Sequence, residues 1–545
     1  MAKGYRPVDR DQPFLLPPDM REWLPPSHPV WPVIEAVRLL DTSAFHARRR
    51  TGGAGRAGYD PDMLVTLLIW AYANGVTSSR RIERLCGQDV AFRVICAGDA
   101  PDHATVARFR QQFADTAAGL FAEVLVLCAR LGMGKVGVVA LDGTKIGANA
   151  SKDANRTEAG LRKIAREMAA RHAEADAEED ALLGEGRRGD DDPGDPFTRR
   201  DRVNAALASL VQEREAAEAA ERAAAAGYLE AARAGDLRGG RSPRGAEAEA
   251  ARLALEREKA AAQARFDDWE QRRAATGRAP RGPRPVPPME HSLVRRAEAK
   301  LGKAVAREAA RAEKDEQKQK DAPPARNVTD PASRLMPVRG GGFLQGFNAQ
   351  NVVSDDGLII ATRLTADTTD TRWYQPMIRD AVTAAAAMAA ADAIALVLAD
   401  AGYLSEANLA CPGPDRLIAT GKRRDLEKAA RAAEADGAGQ AGGAGQAGGA
   451  DAGEEEASEE AGGTAIAAMA ARLKTPDGIA AYRQRGRIAE TPHGRIKHNT
   501  GIRRLATRGI RRASGEWQLI CAAHNLMLAI TSGHLTPQAL TALAR

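Results

Sequence analysis

Val136-Gly137-Val138-Val139-Ala140-Leu141-Asp142 and Ala393-Ile394-Ala395-Leu396-Val397-Leu398-Ala399-Asp400 are two short apolar runs that each close on an aspartate. Their length and aliphatic content predict buried strands. Between them lies a charged, Ala-rich segment, 155–325, broken by Gly/Pro clusters near 184–196, 238–245 and 276–288. Helix periodicity there predicts roughly four helices of hairpin type. Leu161, Ile164 and Met168 share one face; Val203, Leu207 and Leu210 a second; Leu293, Ala297, Leu301 and Val305 a third. Strand signals return at Phe343–Val353 and Gly357–Leu364, followed by a helix at about 373–390 and then the second apolar run. The Gly/Ala/Gln/Glu stretch 430–463 reads as a disordered loop, and the chain beyond it is helical to 545. This order predicts an α/β fold whose mixed sheet is interrupted by a long helical insertion.

Ahead of the first strand the pattern is helical from about 32 to 132. Asp60-Pro61 supplies an N-cap and a proline for the first helical position, followed by the stripe Met63, Leu64, Leu67, Leu68 and Ala71. Ser78-Ser79-Arg80-Arg81 opens a second helix, and Asp102 or Thr105 caps a third that carries Arg108 and Arg110. Short helices with tight turns suit a helix-turn-helix arrangement or a plain bundle equally. Residues 1–31 read as a Pro-rich extended arm with Trp23 and Trp31 as docking anchors.

Composition narrows the class. The 545 residues hold 44% hydrophobic and 28% charged side chains, so a sizeable core is available and global disorder is excluded. Five scattered cysteines without a C-x-x-C spacing argue against a disulfide framework or a Cys-rich zinc site. No signal-peptide pattern and no long uncharged apolar stretch is found, which predicts a cytoplasmic protein without a membrane partner. A net charge of +6 is small for this length, so local clustering of charge decides.

That clustering is strong between 481 and 512, where ten Arg and Lys residues surround a single acid, Glu490. An internal ion pair is the plain explanation of that acid. Joined to Asp142 and Asp400, it suggests a centre for hard, oxygen-liganded cations, Mg²⁺ or Mn²⁺. Two such ions, roughly 3.5–4 Å apart, activate an attacking oxygen and stabilise the leaving oxygen of a phosphodiester. The surrounding basic field would hold a polyanionic backbone. Acids for metal and bases for phosphate point to a nuclease or strand-transfer enzyme.

With these residues in view, the chain resembles DDE transposases of bacterial insertion sequences, in a subgroup with an all-helical N-terminal domain. Tyr59-Asp60-Pro61, Ser78–Glu83, Asp89–Arg93 and Pro101–Arg110 are similar to that family's N-terminal domain. Leu141-Asp142-Gly143-Thr144-Lys145 is similar to its first catalytic motif and Asp400-Ala401-Gly402-Tyr403 to its second. Thr329–Met336 and Gly346–Gln350 are similar to its link back into the sheet. Tyr482, Arg485, Glu490 and Lys497 are similar to the third motif, where Tyr, Arg, Glu and Lys recur at fixed spacing. One departure is His493, where such families often place an aromatic before the glycine.

The resemblance implies an RNase H-like sheet and a metal-binding catalytic triad of Asp142, Asp400 and Glu490. It further implies DNA contacts from Arg485 and Lys497, supported by Tyr482; Arg487, Arg495, Arg108 and Arg110 complete the expected DNA-binding set. The expected domains are 32–134, helix-turn-helix-like and DNA-binding; 135–150 with 327–545, the split catalytic domain; and 151–326, the insertion. Expected partners are double-stranded DNA with terminal inverted repeats, target DNA, and a second protomer in a synaptic homodimer on the bacterial nucleoid. The alternatives are an inactive or domesticated DNA-binding relative, acting as repressor or architectural protein, and a coiled-coil scaffold built on the insertion. His103 and His524 read as capping or core histidines, Asp367 and Asp370 as turn or cap residues, and Lys145 as a strand-end lysine at the surface or beside DNA.

Overall fold

The computed structural model describes residues 19–47, 58–168, 170, 199–237, 242–321, 323–338, 340–390, 393–421 and 465–543. Most of the expected arm (1–18) and the whole of the low-complexity stretch 430–463 lie outside the described residues. The chain divides into two compact units, Met1–Asp153 with Ala332–Arg545, and Ala154–Pro331.

In the first unit, seven α-helices precede the sheet among the described residues: α1 (Val30–Leu39), α2 (Ser43–His46), α3 (Pro61–Ala73), α4 (Ser79–Gln88), α5 (Val90–Ile95), α6 (His103–Gln112) and α7 (Ala117–Arg130). Capping explains several starts: Asp60, Asp89 and Asp102 each accept a backbone N–H of the first turn. α3 is apolar nearly all round and accordingly buried on most of its surface. The helices were expected as a separate domain ending at 134. Instead, a single apolar core runs from Val30 through the sheet to Leu540. The long helix Ile510–Thr531 makes that continuity. It packs against α3, α7 and the sheet and buries Trp517, Leu519, Ile520 and Leu526 among others.

β1 (Val138–Gly147) opens the sheet, which is completed after the insertion by β4 (Arg334–Pro337), β5 (Phe343–Ser354), β6 (Ile359–Thr365), β7 (Leu396–Ala399) and β8 (Asp415–Ile418). The path is β4-β5-β1-β7-β8, with β6 also paired to β5. β5 is antiparallel to β1, β4 and β6, whereas β1, β7 and β8 run parallel. The sheet is therefore mixed, as the strand order predicted. Two strands, β4 and β8, had no counterpart in the sequence reading. Each has only four residues, too few to show a period, and each is recruited by pairing to a longer neighbour.

In the second unit a two-stranded ribbon, β2 (Asn155–Thr157) with β3 (Ala325–Asn327), closes the base of the insertion. The helix at 158–168 packs Leu161, Ile164 and Met168 against Val203, Ala206, Leu207 and Leu210 of the helix Arg199–Ala234. The helices Glu247–Thr276 and Ser292–Asp321 pack along each other through Leu255, Ala262, Val294, Ala297 and Leu301. Here the expected face holds at Ala297 and Leu301 but not at its ends: Leu293 and Val305 are exposed, while Val294 and Ala304 are buried. Spacing alone does not distinguish adjacent stripes on an Ala-rich helix; contact with the partner helix does. Among the described residues no single helix is long and apolar enough to cross a membrane.

Candidate active site

Strand register brings Asp142 and Asp400 together. The last parallel pair of β1 and β7 is Leu141 with Ala399, so the next residue on each strand is an acid. β1 was expected to end at Asp142. It continues to Gly147 because antiparallel β5 supports it along its whole length, from Val139–Ser354 to Gly147–Gly346. β7 does end, and Asp400 caps the following turn, its Oδ1 accepting the Gly402 N–H at 2.9 Å.

The helix Pro476–Gly494 forms the opposing wall. Thr475 caps it, Pro476 takes its first position, and it packs on β1, β5 and β7. Its sheet-facing side chains come at helical spacing. Tyr482 donates its hydroxyl to the Ala399 carbonyl at 3.2 Å. Arg485 places Nη2 2.9 Å from Asp142 Oδ1 and 3.7 Å from Asp400 Oδ2, with only 13% of its side chain exposed. Glu490 lies one and a half turns on, at the exposed surface of the same helix, and its charge acts on Arg485 together with those of Asp142 and Asp400. Pro492 removes a backbone donor near the helix end, and the chain beyond it widens into a π-turn at Arg495–Asn499. That turn delivers Lys497, whose ammonium donates to Thr144 Oγ1 at 2.5 Å and to the Lys145 carbonyl at 2.6 Å.

Behind Asp142 runs a hydrogen-bond chain whose direction is set at its far end. The Trp517 indole N–H can only donate, and it donates to Thr362 Oγ1 at 2.8 Å. Thr362 in turn donates to Asn351 Oδ1 at 2.6 Å. This orients the Asn351 amide so that Nδ2 donates to His493 Nε2 at 3.0 Å. The His493 proton therefore sits on Nδ1, which faces Asp142 Oδ2 at 3.4 Å. Such chains polarise along their length and hold the terminal carboxylate in one rotamer. His493, read from sequence as a departure from a motif, is thus the residue that orients Asp142.

The two strand-end acids are driven apart electrostatically. Burial pushes Asp142 up, but the His493 hydrogen bond and the charge of Arg485 outweigh it and leave the carboxyl below its ordinary value. Burial also dominates at Asp400; there Arg485 opposes it, the charges of Asp142 and Asp370 add to it, and the carboxyl is raised. Burial pushes Lys497 down to about 8, against the pull of Asp142 and with help from Arg503 and Lys145. Environments that separate the protonation behaviour of neighbouring groups are characteristic of reactive centres.

Asp370 is also here. Expected as a turn or cap residue, it occupies the cap position of the Thr371–Trp373 turn but makes no side-chain cap bond. Its Oδ1 instead accepts from the amides of Asn348 and Gln350, both at 2.6 Å, and lies 3.7 Å from Lys145 Nζ. Asp367 does serve its turn, accepting from Trp373 Nε1 at 2.7 Å and Arg372 Nε at 3.0 Å. His524 is a buried core histidine, while His103 opens α6 and meets Glu83 at 2.8 Å.

The expected DNA-contacting residues fall into three groups. Tyr482, Arg485 and Lys497 point into the site, as described. Arg108 is exposed on α6, Arg487 pairs with Asp355 at the surface, and Arg495 is partly buried beside an apolar cavity of about 330 Å³. Arg110 is a correction. It is buried, donates to the Thr77 carbonyl at 2.6 Å and to Ser79 Oγ, and lies 3.8 Å from Glu516 of the long C-terminal helix. Its guanidinium ties α6 to the turn before α4 and is unavailable to an external phosphate. Alternation of Arg108 and Arg110 in sequence cannot reveal that they lie on different helix faces with different burial.

The strand-end acids Asp142 and Asp400 offer oxygen ligands only, the exposed Glu490 is not gathered with them into one close three-acid cluster among the described residues, and the nearest imidazole has both ring nitrogens engaged. That donor set fits a hard divalent cation of the Mg²⁺ or Mn²⁺ kind. A family model described as "Transposase domain (DUF772)" matches residues 18–112, which span α1 to α6. A second, described as "Transposase DDE domain", matches residues 457–528, which include Tyr482, Arg485, Glu490 and Lys497. Neither a curated relative nor a solved structure matches the chain.

Proposed function

We propose that this chain, a DDE transposase of the insertion-sequence type, uses Asp142, Asp400 and Glu490 as its metal-binding catalytic triad on an RNase H-like sheet. The observation that carries the reading is the pairing of Leu141 with Ala399, which sets Asp142 and Asp400 side by side beneath the helix that bears Glu490. Transposition acts on DNA, and the family's members typically use divalent metal ions. The finer reading is recognition of terminal inverted repeats, strand cleavage that leaves a 3′-hydroxyl, and attack of that hydroxyl on target DNA within a synaptic homodimer.

Asp142, Asp400 and Glu490 would hold the cations, probed as Mg²⁺ or Mn²⁺. Bound there, two divalent ions supply Lewis acidity to the scissile phosphate and lower the pKa of the attacking oxygen. The chain's own groups do the rest. His493 fixes the rotamer of Asp142, and Arg485 neutralises the two strand-end carboxylates when cations are absent. Lys497 steadies the β1 end through Thr144 and the Lys145 carbonyl. The exposed side chains Arg108 and Arg487 are placed for backbone phosphates, whose neutralisation makes binding strongly salt-dependent.

The test is an end-cleavage assay on short duplexes carrying the inverted repeats that flank the reading frame. Asp142→Asn, Asp400→Asn and Glu490→Gln are each expected to abolish cutting while duplex binding persists. Wild-type cutting by any one of them removes that residue from the triad.

A further inference from the structure

Asp370 sits between two glycines that neighbour the strand-end acids. A Cβ on Gly143 would stand 2.7 Å from Asp370 Oδ1. A Cβ on Gly402 would stand 3.2 Å from Asp370 Oδ2 and 3.0 Å from Asp400 Oδ1. A side chain at either position would displace a carboxylate, so the absence of one at 143 and 402 leaves room for Asp370 beside Asp400. The two oxygens of Asp370 are not equivalent. Oδ1 takes both amide donors from β5. Oδ2 accepts no hydrogen bond among the described residues and shares with Asp400 Oδ1 the space above Gly402.

A second observation is independent of the acids. Asn348 is fully buried, and its Oδ1 has no hydrogen-bond partner. The amide cannot turn over, because its nitrogen must face the Asp370 carboxylate. An acceptor oxygen is therefore held without a donor in the same pocket, 3.2 Å from the place a Gly143 Cβ would take. Burying Asn348 and Gln350 in a strand whose opposite face buries Phe347 and Ala349 is costly unless they orient something. An orphaned acceptor and a one-sided carboxylate together leave two oxygens without a hydrogen-bond donor, although the Lys145 ammonium stands 3.7 Å from Asp370 Oδ1.

We propose that Asp370 is a fourth carboxylate of the active centre, which holds one divalent cation jointly with Asp400 and is itself oriented by Asn348 and Gln350. The inference rests on the metal-centre reading of Asp142, Asp400 and Glu490 given above. In its terms Asn348 and Gln350 are positioning residues, and the pairing of Lys145 with Asp370 is a resting contact that the cation replaces.

The experiment is a Mn²⁺ titration of the full chain, followed by the electron paramagnetic resonance signal of free Mn²⁺ and by calorimetry, without any DNA. Asp370→Asn keeps an acceptor for the two β5 amides but removes the charge on the free oxygen. It is expected to weaken one Mn²⁺ site by about 10-fold or more, the scale of an altered metal shell. Unchanged Mn²⁺ stoichiometry and affinity in folded Asp370→Asn overturns the proposal. Should that variant fail to fold, Gly402→Ala keeps every acid and places a methyl between Asp370 and Asp400; wild-type Mn²⁺ binding there overturns it equally. Asp142→Asn and Asp400→Asn separate the two levels. If they too bind Mn²⁺ as wild type does, the metal-centre reading fails; if they lose it and Asp370→Asn does not, only the role of Asp370 fails.

Discussion

Replacing Thr362 by valine cuts the hydrogen-bond chain behind Asp142 while keeping the side chain's shape. Valine neither accepts from the Trp517 indole nor donates to Asn351 Oδ1. Trp517 and Asn351 are both fully buried, so water cannot replace the lost partner at either. An orphaned buried polar group costs about 1–3 kcal/mol, and two of them bring the expected destabilisation to roughly 2–6 kcal/mol. Chemical denaturation of Thr362→Val against wild type measures it. The functional arm follows the same chain outward. Once Asn351 is released, the amide no longer selects the His493 tautomer, and Asp142 loses its oriented contact. Disturbing a group that orients a metal ligand lowers metal affinity or activity by about 10–100-fold. A double-mutant cycle with His493→Phe isolates transmission: the pair is expected to cost less than the sum of the singles, by on the order of 0.5–3 kcal/mol. Thr362→Val within about 0.5 kcal/mol of wild type, with effects that simply add to those of His493→Phe, would refute a chain that holds Asp142.

Two further outcomes are expected. Arg485→Met leaves Asp142 and Asp400 without their shared buried cation, and loss of one member of such a set costs about 3–5 kcal/mol in chelator. Because the divalent ion no longer displaces a guanidinium, Mg²⁺ should raise the variant's melting temperature by more than it raises wild type's; equal increments would dismiss that competition. At His524, burial pushes the imidazole down to about 4, with the Gly357 carbonyl opposing and the charge of Arg495 adding to the shift. A base depressed in the folded state takes up its proton first in the unfolded chain. Stability is therefore complete above the unfolded value near 6.5 and is lost as pH falls through the window down to about 4. At roughly 1.4 kcal/mol per pKa unit the full effect is about 3 kcal/mol. Denaturation midpoints between pH 7 and 4 should fall less steeply in His524→Leu; an unchanged slope assigns the acid sensitivity elsewhere.

Much of the architecture was legible because its causes are local. The apolar runs at 136–142 and 393–400, the proline after Asp60 and the Ala-rich helices of the insertion are short-range patterns of polarity and capping, and the structure forms strands and helices there. The three candidate acids stood out for the same reason: two end apolar runs, and one sits alone in a basic field. Tertiary structure decided what those patterns leave open. Side-chain spacing on an Ala-rich helix permits several stripes, and only the partner helix selected Val294 over Leu293. Arg108 and Arg110 look interchangeable in sequence, but packing buries one and exposes the other. Asp370 resembles any acid in a turn until β5 turns two buried amides toward it. The chain from Trp517 to Asp142 joins residues 375 positions apart through three strands, a helix end and the long C-terminal helix. Polarity and propensity are properties of a residue and its near neighbours, so sequence carries them. Register, burial and the direction of a hydrogen bond belong to pairs of distant residues, and those exist only once the sheet has closed.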